Sequence, residues 1–259
     1  MKKLDGKVVI VTGGAASIGA GISRHLHGQG AKVVIAARSR SKGEAMIEEL
    51  GENAAFIVTD LKKDDDIARL VMETVSRFGR LDVLVNNACA YGDAGSGTSR
   101  EVWLDTLNVN VVSNALLGEQ ARPHLQKSKG AIVNVGSVSG RFPHIGRWAY
   151  PVSKAALRHL TKSQAVEYAA DGIRVNLAML GHIWSDPIAQ LCSGDREKAD
   201  RMASPYNLFS RVADPTEVAQ VVAFLASREA SYITGSEIAV DGGYSALGPE
   251  QYRPLTIPE

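Results

Sequence analysis

The sequence predicts an α/β fold, a doubly wound parallel sheet of about seven strands with helices on both faces. Three observations carry this reading. Short apolar runs alternate with amphipathic stretches almost to the end of the chain. The runs are nearly continuous in Val, Ile, Leu and Ala, as strands covered on both faces must be. A glycine-rich turn joins the first run to the first amphipathic stretch, where an open parallel sheet takes a dinucleotide pyrophosphate.

In chain order, strands are predicted at Val8–Val11, Lys32–Ala37, Ala54–Thr59, Val83–Asn86, Ala131–Val135, Arg174–Leu177 and Glu237–Val240. Each is a short apolar run bounded by turn residues. Helices are predicted between them at Ile18–Gln29, Lys42–Leu50, Asp64–Phe78, Trp103–Gln126, Tyr150–Ala170 and Thr216–Ala226. The stretch from Tyr150 is rich in Ala, Leu, Lys and Glu and ends at Asp171-Gly172, a glycine stop. Pro151 fits its first turn, where no N–H is needed. No repeat, low-complexity segment or linker interrupts the pattern, so one domain over residues 1–259 is expected. The tail from Tyr244 to Glu259 holds Pro249, Pro254 and Pro258 and is expected to be extended.

Composition narrows the classes. The chain has 259 residues, 45% of them hydrophobic, and a net charge of +1. No basic stripe marks a nucleic-acid face, and no apolar run approaches a membrane span. The apolar run after the basic start covers only Val8 to Val11, too short for a signal peptide. Cys89 and Cys192 are far apart and lack metal spacing, so a reducing interior is expected. The expectation is a soluble cytoplasmic protein with no nucleic-acid or membrane partner. No metal is expected either, because His144 and His182 have no second ligand at coordinating spacing.

The turn after the first strand reads Thr12-Gly13-Gly14-Ala15-Ala16-Ser17-Ile18-Gly19. The second strand ends in Ala37-Arg38-Ser39-Arg40, with no carboxylate for a ribose 2′-hydroxyl. An arginine there suits a 2′-phosphate, because its planar fork of donors can hold two oxygens. This predicts NADP(H). Asp60 and Asn86-Asn87-Ala88 follow the third and fourth strands, at the same carboxyl edge. Asp60 suits either an adenine contact or a helix N-cap. Tyr150 and Lys154 stand one helical turn apart, and an ammonium beside a phenol favours the phenolate.

Taken together, these pieces resemble the short-chain dehydrogenase/reductase family over nearly the whole chain. The matching residues are Thr12-Gly13, Ser17, Gly19, Asp60, Asn86-Asn87-Ala88, Asn110, Ser137, Tyr150, Lys154 and Asp241-Gly242-Gly243. The resemblance implies a Rossmann fold and a catalytic tetrad of Asn110, Ser137, Tyr150 and Lys154. Tyr150 would move a proton to or from the substrate oxygen, and Ser137 would hold that oxygen. Lys154 would bind the nicotinamide ribose, and the Asn110 amide would hold a relay water. The cofactor contacts implied are Gly13, Ser17, Ile18, Gly19, Arg38, Ser39, Asp60, Leu61, Asn87, Ala88, Tyr150, Lys154, Gly181, Ile183 and Ser185. A substrate-covering insertion is expected at about residues 182–210. Its pocket is expected to take Tyr91, His144, Trp148, His182, Trp184 and Tyr206, with Phe209 as a further wall.

Four positions depart from the family pattern: Ser17 for the middle loop glycine, Cys89 for Gly, Gly136 for Ser, and Leu180 for Pro. The function expected is NADP(H)-dependent interconversion of a ketone and a secondary alcohol on a hydrophobic or aromatic substrate. The alternatives are a non-catalytic NADP-binding regulator and a 3-ketoacyl-carrier-protein reductase. The family also implies a homotetramer or homodimer built through the Asn110 and Tyr150 helices.

Overall fold

The computed structural model describes residues 2–248. Seven parallel strands form one sheet in the order β3-β2-β1-β4-β5-β6-β7. They are β1 Val8–Thr12, β2 Lys32–Ala37, β3 Ala54–Val58, β4 Val83–Asn86, β5 Ala131–Ser137, β6 Arg174–Leu180 and β7 Glu237–Val240. The helices are α1 Ser17–Gly28, α2 Arg40–Leu50, α3 Asp64–Phe78, α4 Arg100–Leu107, α5 Ser113–Ser128, α6 Ala149–Tyr168, α7 Asp186–Leu191, α8 Arg196–Ala203 and α9 Pro215–Ala226. The chain winds outward from β1 to β3, then returns to pair β4 with β1. That reversal opens a crevice at the carboxyl ends of β1 and β4, where such sheets take their ligands.

Strand periodicity sends alternate side chains to opposite faces. Val9, Val11, Val33 and Ile35 pack with Ile22 and Leu26 of α1 and Val218 and Val222 of α9. Ile10, Val34 and Leu84 pack on the other face with Leu70 of α3, Leu117 of α5 and Ala165 of α6. Each fully buried Val, Leu or Ile contributes about 1.5–3 kcal/mol. These two layers explain the nearly unbroken apolar strands.

The structure alters several predicted bounds. β5 and β6 run further than expected, because pairing continues to Ser137 opposite Leu180. Ser137 is thereby delivered at the tip of a central strand. The single helix expected over Trp103–Gln126 is divided into α4, a π-helical turn over Asn108–Val112, and α5. Side-chain donors compete with the backbone ladder there. Ser113 Oγ donates to Asn108 O at 2.9 Å, and Asn114 Nδ2 donates to Asn110 O at 2.9 Å. Tyr244–Ala246 form a 3-10 turn rather than an extended tail, and the tail beyond residue 248 lies outside the described residues. Among the described residues, no helix is long and apolar enough to cross a membrane.

Candidate active site

The turn after β1 is shaped by backbone crowding. A Cβ on Gly19 would stand 2.1 Å from Gly13 O and 2.5 Å from Asn87 Nδ2, so no side chain fits. Gly13 has φ +65°, in the left-handed region that favours glycine. Asn87 pins the turn by donating through Nδ2 to Thr12 O at 2.9 Å. Thr12 Oγ1 in turn accepts the N–H groups of Asn87 and Ala88 at 2.9 and 3.0 Å. No side chain caps the start of α1. Its first N–H groups therefore stay available, and this bare helix end with a close-approach loop fits a dinucleotide pyrophosphate.

Ser17, the residue in place of glycine, has φ +52°. Its Oγ accepts the N–H of Asp186 at 3.0 Å, tying the loop to the start of α7. The hydroxyl proton stays free for a phosphate oxygen. At the end of β2, Arg38, Ser39 and Arg40 are all exposed. Arg40 faces Glu44 one turn along α2, and Ser39 caps α2 by accepting the Lys42 N–H. Arg38 has no ion-pair partner among the described residues. The Asp60 carboxylate accepts the Lys62 N–H at 3.2 Å, so it shapes the turn into α3 rather than capping that helix. Leu61 and Ile183 are core residues, so any cofactor contact falls to their backbone.

The tetrad residues converge at the tips of β4 and β5. Lys154 is buried, and its Nζ donates to Val135 O at 2.9 Å. The same nitrogen lies 5.7 Å from the centroid of the Tyr150 ring. Burial, with Cys89 adding to it, holds the Tyr150 phenol above its ordinary value; the Lys154 charge is the strongest influence opposing that rise, helped by the Ser137 and Tyr91 hydroxyls. Burial lowers the Lys154 ammonium, but Cys89 and Tyr150 outweigh this and hold it above its ordinary value. Lys154 therefore stays charged beside the phenol. Ser137 Oγ accepts the Ser139 N–H at 3.1 Å, which orients it at the strand tip.

Asn110 is fully buried. Its side-chain amide is engaged by protein groups. Nδ2 donates to Ala90 O at 3.2 Å and to Ser153 Oγ at 3.0 Å, and Oδ1 accepts the Ala90 N–H at 2.7 Å. It clamps the segment after β4 onto α6.

Sequence reasoning missed a second clamp. Asp93 Oδ2 accepts the N–H groups of Trp148 and Tyr150 at 2.6 and 2.9 Å. Its Oδ1 accepts from Thr98 Oγ1 and the Gly95 N–H at 2.9 and 3.1 Å.

A family model described as enoyl-(acyl carrier protein) reductase matches residues 13–245. An L-fucose dehydrogenase of Bos taurus is 37% identical, covering 92% of this chain and 89% of its own. The chain belongs to the short-chain dehydrogenase/reductase family. A cis-4-hydroxycyclohexanecarboxylate dehydrogenase of Sinomonas cyclohexanicum is also 37% identical, over 93% of this chain and 97% of its own. A 3-oxoacyl-(acyl-carrier-protein) reductase of Vibrio cholerae is 36% identical, over 93% and 98%. The family uses nicotinamide cofactors, and the cradle after β1 fits one.

This short-chain dehydrogenase/reductase places four of its six expected pocket residues, Tyr91, His144, His182 and Tyr206, in two groups. Tyr91 stacks on Tyr150 with ring centroids 5.0 Å apart and planes 27° apart. The other group is a wall of rings. His182 lies 6.0 Å from Tyr206 and 5.9 Å from Tyr244, and His144 lies 6.5 Å from Tyr244. Tyr244 was not anticipated, because it follows the Asp-Gly-Gly turn in a segment read as tail. Burial lowers both histidines below their ordinary value, so they face the site uncharged. His182 Nδ1 is buried with no partner among the described residues. Trp184 instead packs in the small core of the insertion with Cys192, Ala199 and Val212, covered by Arg196 at 5.5 Å. Trp148 and Phe209 are exposed. Ser185 sits at the head of α7, with its side chain making no capping bond.

Proposed function

We propose that this protein interconverts a ketone and a secondary alcohol with NADP(H), Tyr150 acting as general acid and base. The observation that carries it is the charged, buried Lys154 fixed beside the Tyr150 phenol at the strand tips. When bound, the nicotinamide supplies or accepts the hydride. In oxidation, the Tyr150 phenolate takes the alcohol proton; in reduction, the phenol returns it to the carbonyl oxygen. Ser137 steadies that oxygen by hydrogen bonding. Lys154 offsets part of the rise that burial causes at the Tyr150 phenol and has donors to spare for ribose hydroxyls. Asn110 keeps Ala90 and Ser153 in place around this pair.

Arg38, exposed and free of ion pairs among the described residues, supports NADP(H) over NAD(H). The ring wall supports a substrate with an apolar frame. Its neutral His144 and His182 suit a hydroxyl or similar hydrogen-bonding substituent on that frame. Leu104, Val112 and Leu116 on the α4–α5 stretch and Val152 and Val166 on α6 are exposed, which supports assembly into a dimer or tetramer through these helices. The two free thiols suit the cytoplasm.

The test is turnover of the purified protein with NADPH and a panel of cyclic and aromatic ketones, and with NADP and L-fucose or cis-4-hydroxycyclohexanecarboxylate. Tyr150→Phe should fold, bind cofactor and lose most turnover. A Tyr150→Phe protein of near-normal activity would sink the assignment, and a wild type that binds NADP but turns over no substrate would favour a regulator.

A further inference from the structure

The segment from Cys89 to Asp93 is fastened to the catalytic helix at both ends. Asn110 takes both backbone groups of Ala90. Asp93 takes the N–H groups of Trp148 and Tyr150, and its own N–H donates to Tyr91 O at 2.8 Å. Arg147 Nη1 reaches Tyr91 O and Asp93 O from the other side, both at 3.3 Å. Between these fixed points, the Tyr91 ring lies nearly parallel to the Tyr150 ring at 5.0 Å. The near-parallel stack holds the Tyr91 phenol against the Tyr150 phenol.

We propose that Tyr91 is a catalytic partner of Tyr150, its phenol O–H donating to the Tyr150 phenolate, rather than a wall of the substrate pocket. The inference rests on Tyr150 being the acid/base. Tyr91 leaves 48% of its surface open, yet burial raises its phenol, so the hydroxyl end is the covered part. Cys89 and Tyr150 raise it further, while Tyr91 in turn favours the Tyr150 phenolate. Burial raises both phenols, but at Tyr150 the Lys154 charge and the Ser137 and Tyr91 hydroxyls oppose the rise, whereas at Tyr91 the neighbours add to it, so Tyr150 is the readier of the two to ionise. The groups facing the Tyr150 hydroxyl are Lys154 from α6, Ser137 from β5, and Tyr91 and Cys89 from the segment after β4. Lys154 stabilises the phenolate by charge. Tyr91 adds a directed donor, and hydrogen bonds to a charged oxygen are stronger than those to a neutral one. No proton leaves Tyr91 in this role.

The test is Tyr91→Phe, which keeps the stacked ring and removes only the hydroxyl. Protein carrying an isotope label at the tyrosine phenol carbon is titrated by NMR with saturating NADP, and Tyr150→Phe identifies the Tyr150 signal. In Tyr91→Phe, the Tyr150 titration should move up by about one pH unit, leaving about tenfold less phenolate at a fixed pH below the midpoint. The acidic limb of the pH profile for alcohol oxidation, where the phenolate is lost, should move up with it, while the KM stays near wild type. An unmoved Tyr150 titration overturns this inference alone. Retained turnover in Tyr150→Phe overturns instead the acid/base reading beneath it.

Discussion

The Asp93 carboxylate accepts the backbone N–H of Tyr150 at 2.9 Å, holding the first turn of α6 from a different loop. The start of α6 has no side-chain cap of its own, so Asp93 supplies the missing acceptor from outside. Burial resists ionisation of Asp93, but the N–H of Tyr150, the Thr98 hydroxyl and the N–H groups of Gly95 and Trp148 hold its carboxyl below the usual range. Asp93→Ala should cost about 1–3 kcal/mol in urea unfolding, the range for orphaned buried donors. Its kcat should fall about tenfold or more, because Tyr150 loses its register. Asp93→Asn retains an acceptor and should recover part of both losses. Equal kcat in wild type and Asp93→Ala would contradict a positioning role.

Much of this site is legible in the sequence, because its residues sit at element boundaries that local rules can place. Val8 to Gly19 reads as strand, turn and helix from apolarity and glycine alone. Tyr150 and Lys154 share a helix, so their spacing is their geometry. Asp93 was illegible for the opposite reason. Its partners lie more than fifty residues away, and its neighbours Gly92, Ala94 and Gly95 read as an ordinary turn. The π-helical turn at Asn110 is set by Ser113 reaching Asn108 and Asn114 reaching Asn110, competitions that a helical period cannot reveal. Trp184 looks like a pocket wall by composition, yet α8 brings Ala199 and Arg196 against it. Tyr244 reaches the site only because β7 ends beside β6.

Arg38→Asp should exchange the cofactor preference. An aspartate at this place holds ribose hydroxyls and repels a 2′-phosphate. The ratio of kcat/KM for NADPH over NADH should fall by about a hundredfold, of the order expected when a charge-assisted contact is replaced by a like-charge clash. Arg40→Ala should change the ratio far less, because Arg40 is engaged with Glu44. A wild type that prefers NADH would overturn the premise.

Ser17→Gly separates strain from function. A left-handed φ on a residue other than glycine costs about 1 kcal/mol or more, and glycine relieves it. Against this stands the lost bond from the Asp186 N–H to Ser17 Oγ, an exposed contact of modest worth. The variant should therefore be equal to or slightly more stable than wild type in thermal unfolding. Its KM for a carbonyl substrate should rise, because α7 is untied from the cofactor loop. A fall in thermal stability would mean that the Ser17–Asp186 contact outweighs the backbone strain.

Asp82 lies at the opposite ends of the strands and tests stability without touching chemistry. Its carboxylate is 2% exposed, and it accepts from Lys7 Nζ, Arg80 Nη2 and Nε, and the Val8 N–H. Burial opposes its ionisation, but Arg80, Lys7 and the Val8 N–H prevail and hold the folded pKa below the ordinary value. A depressed folded pKa means that the unfolded chain binds the proton more readily. The stabilisation is therefore complete above the unfolded value of about 3.9 and is lost as pH falls through the lower folded value. Lys7 and Arg80 are partly exposed, so screening reduces the pair below the cost of a fully buried one. Asp82→Asn should lose about 2 kcal/mol at neutral pH. The gap from wild type should narrow once the medium is acid enough to protonate Asp82 in the native state. Urea unfolding of both proteins across that range measures it, and kcat at neutral pH should stay near wild type. A gap that widens on acidification would reverse the assigned sign.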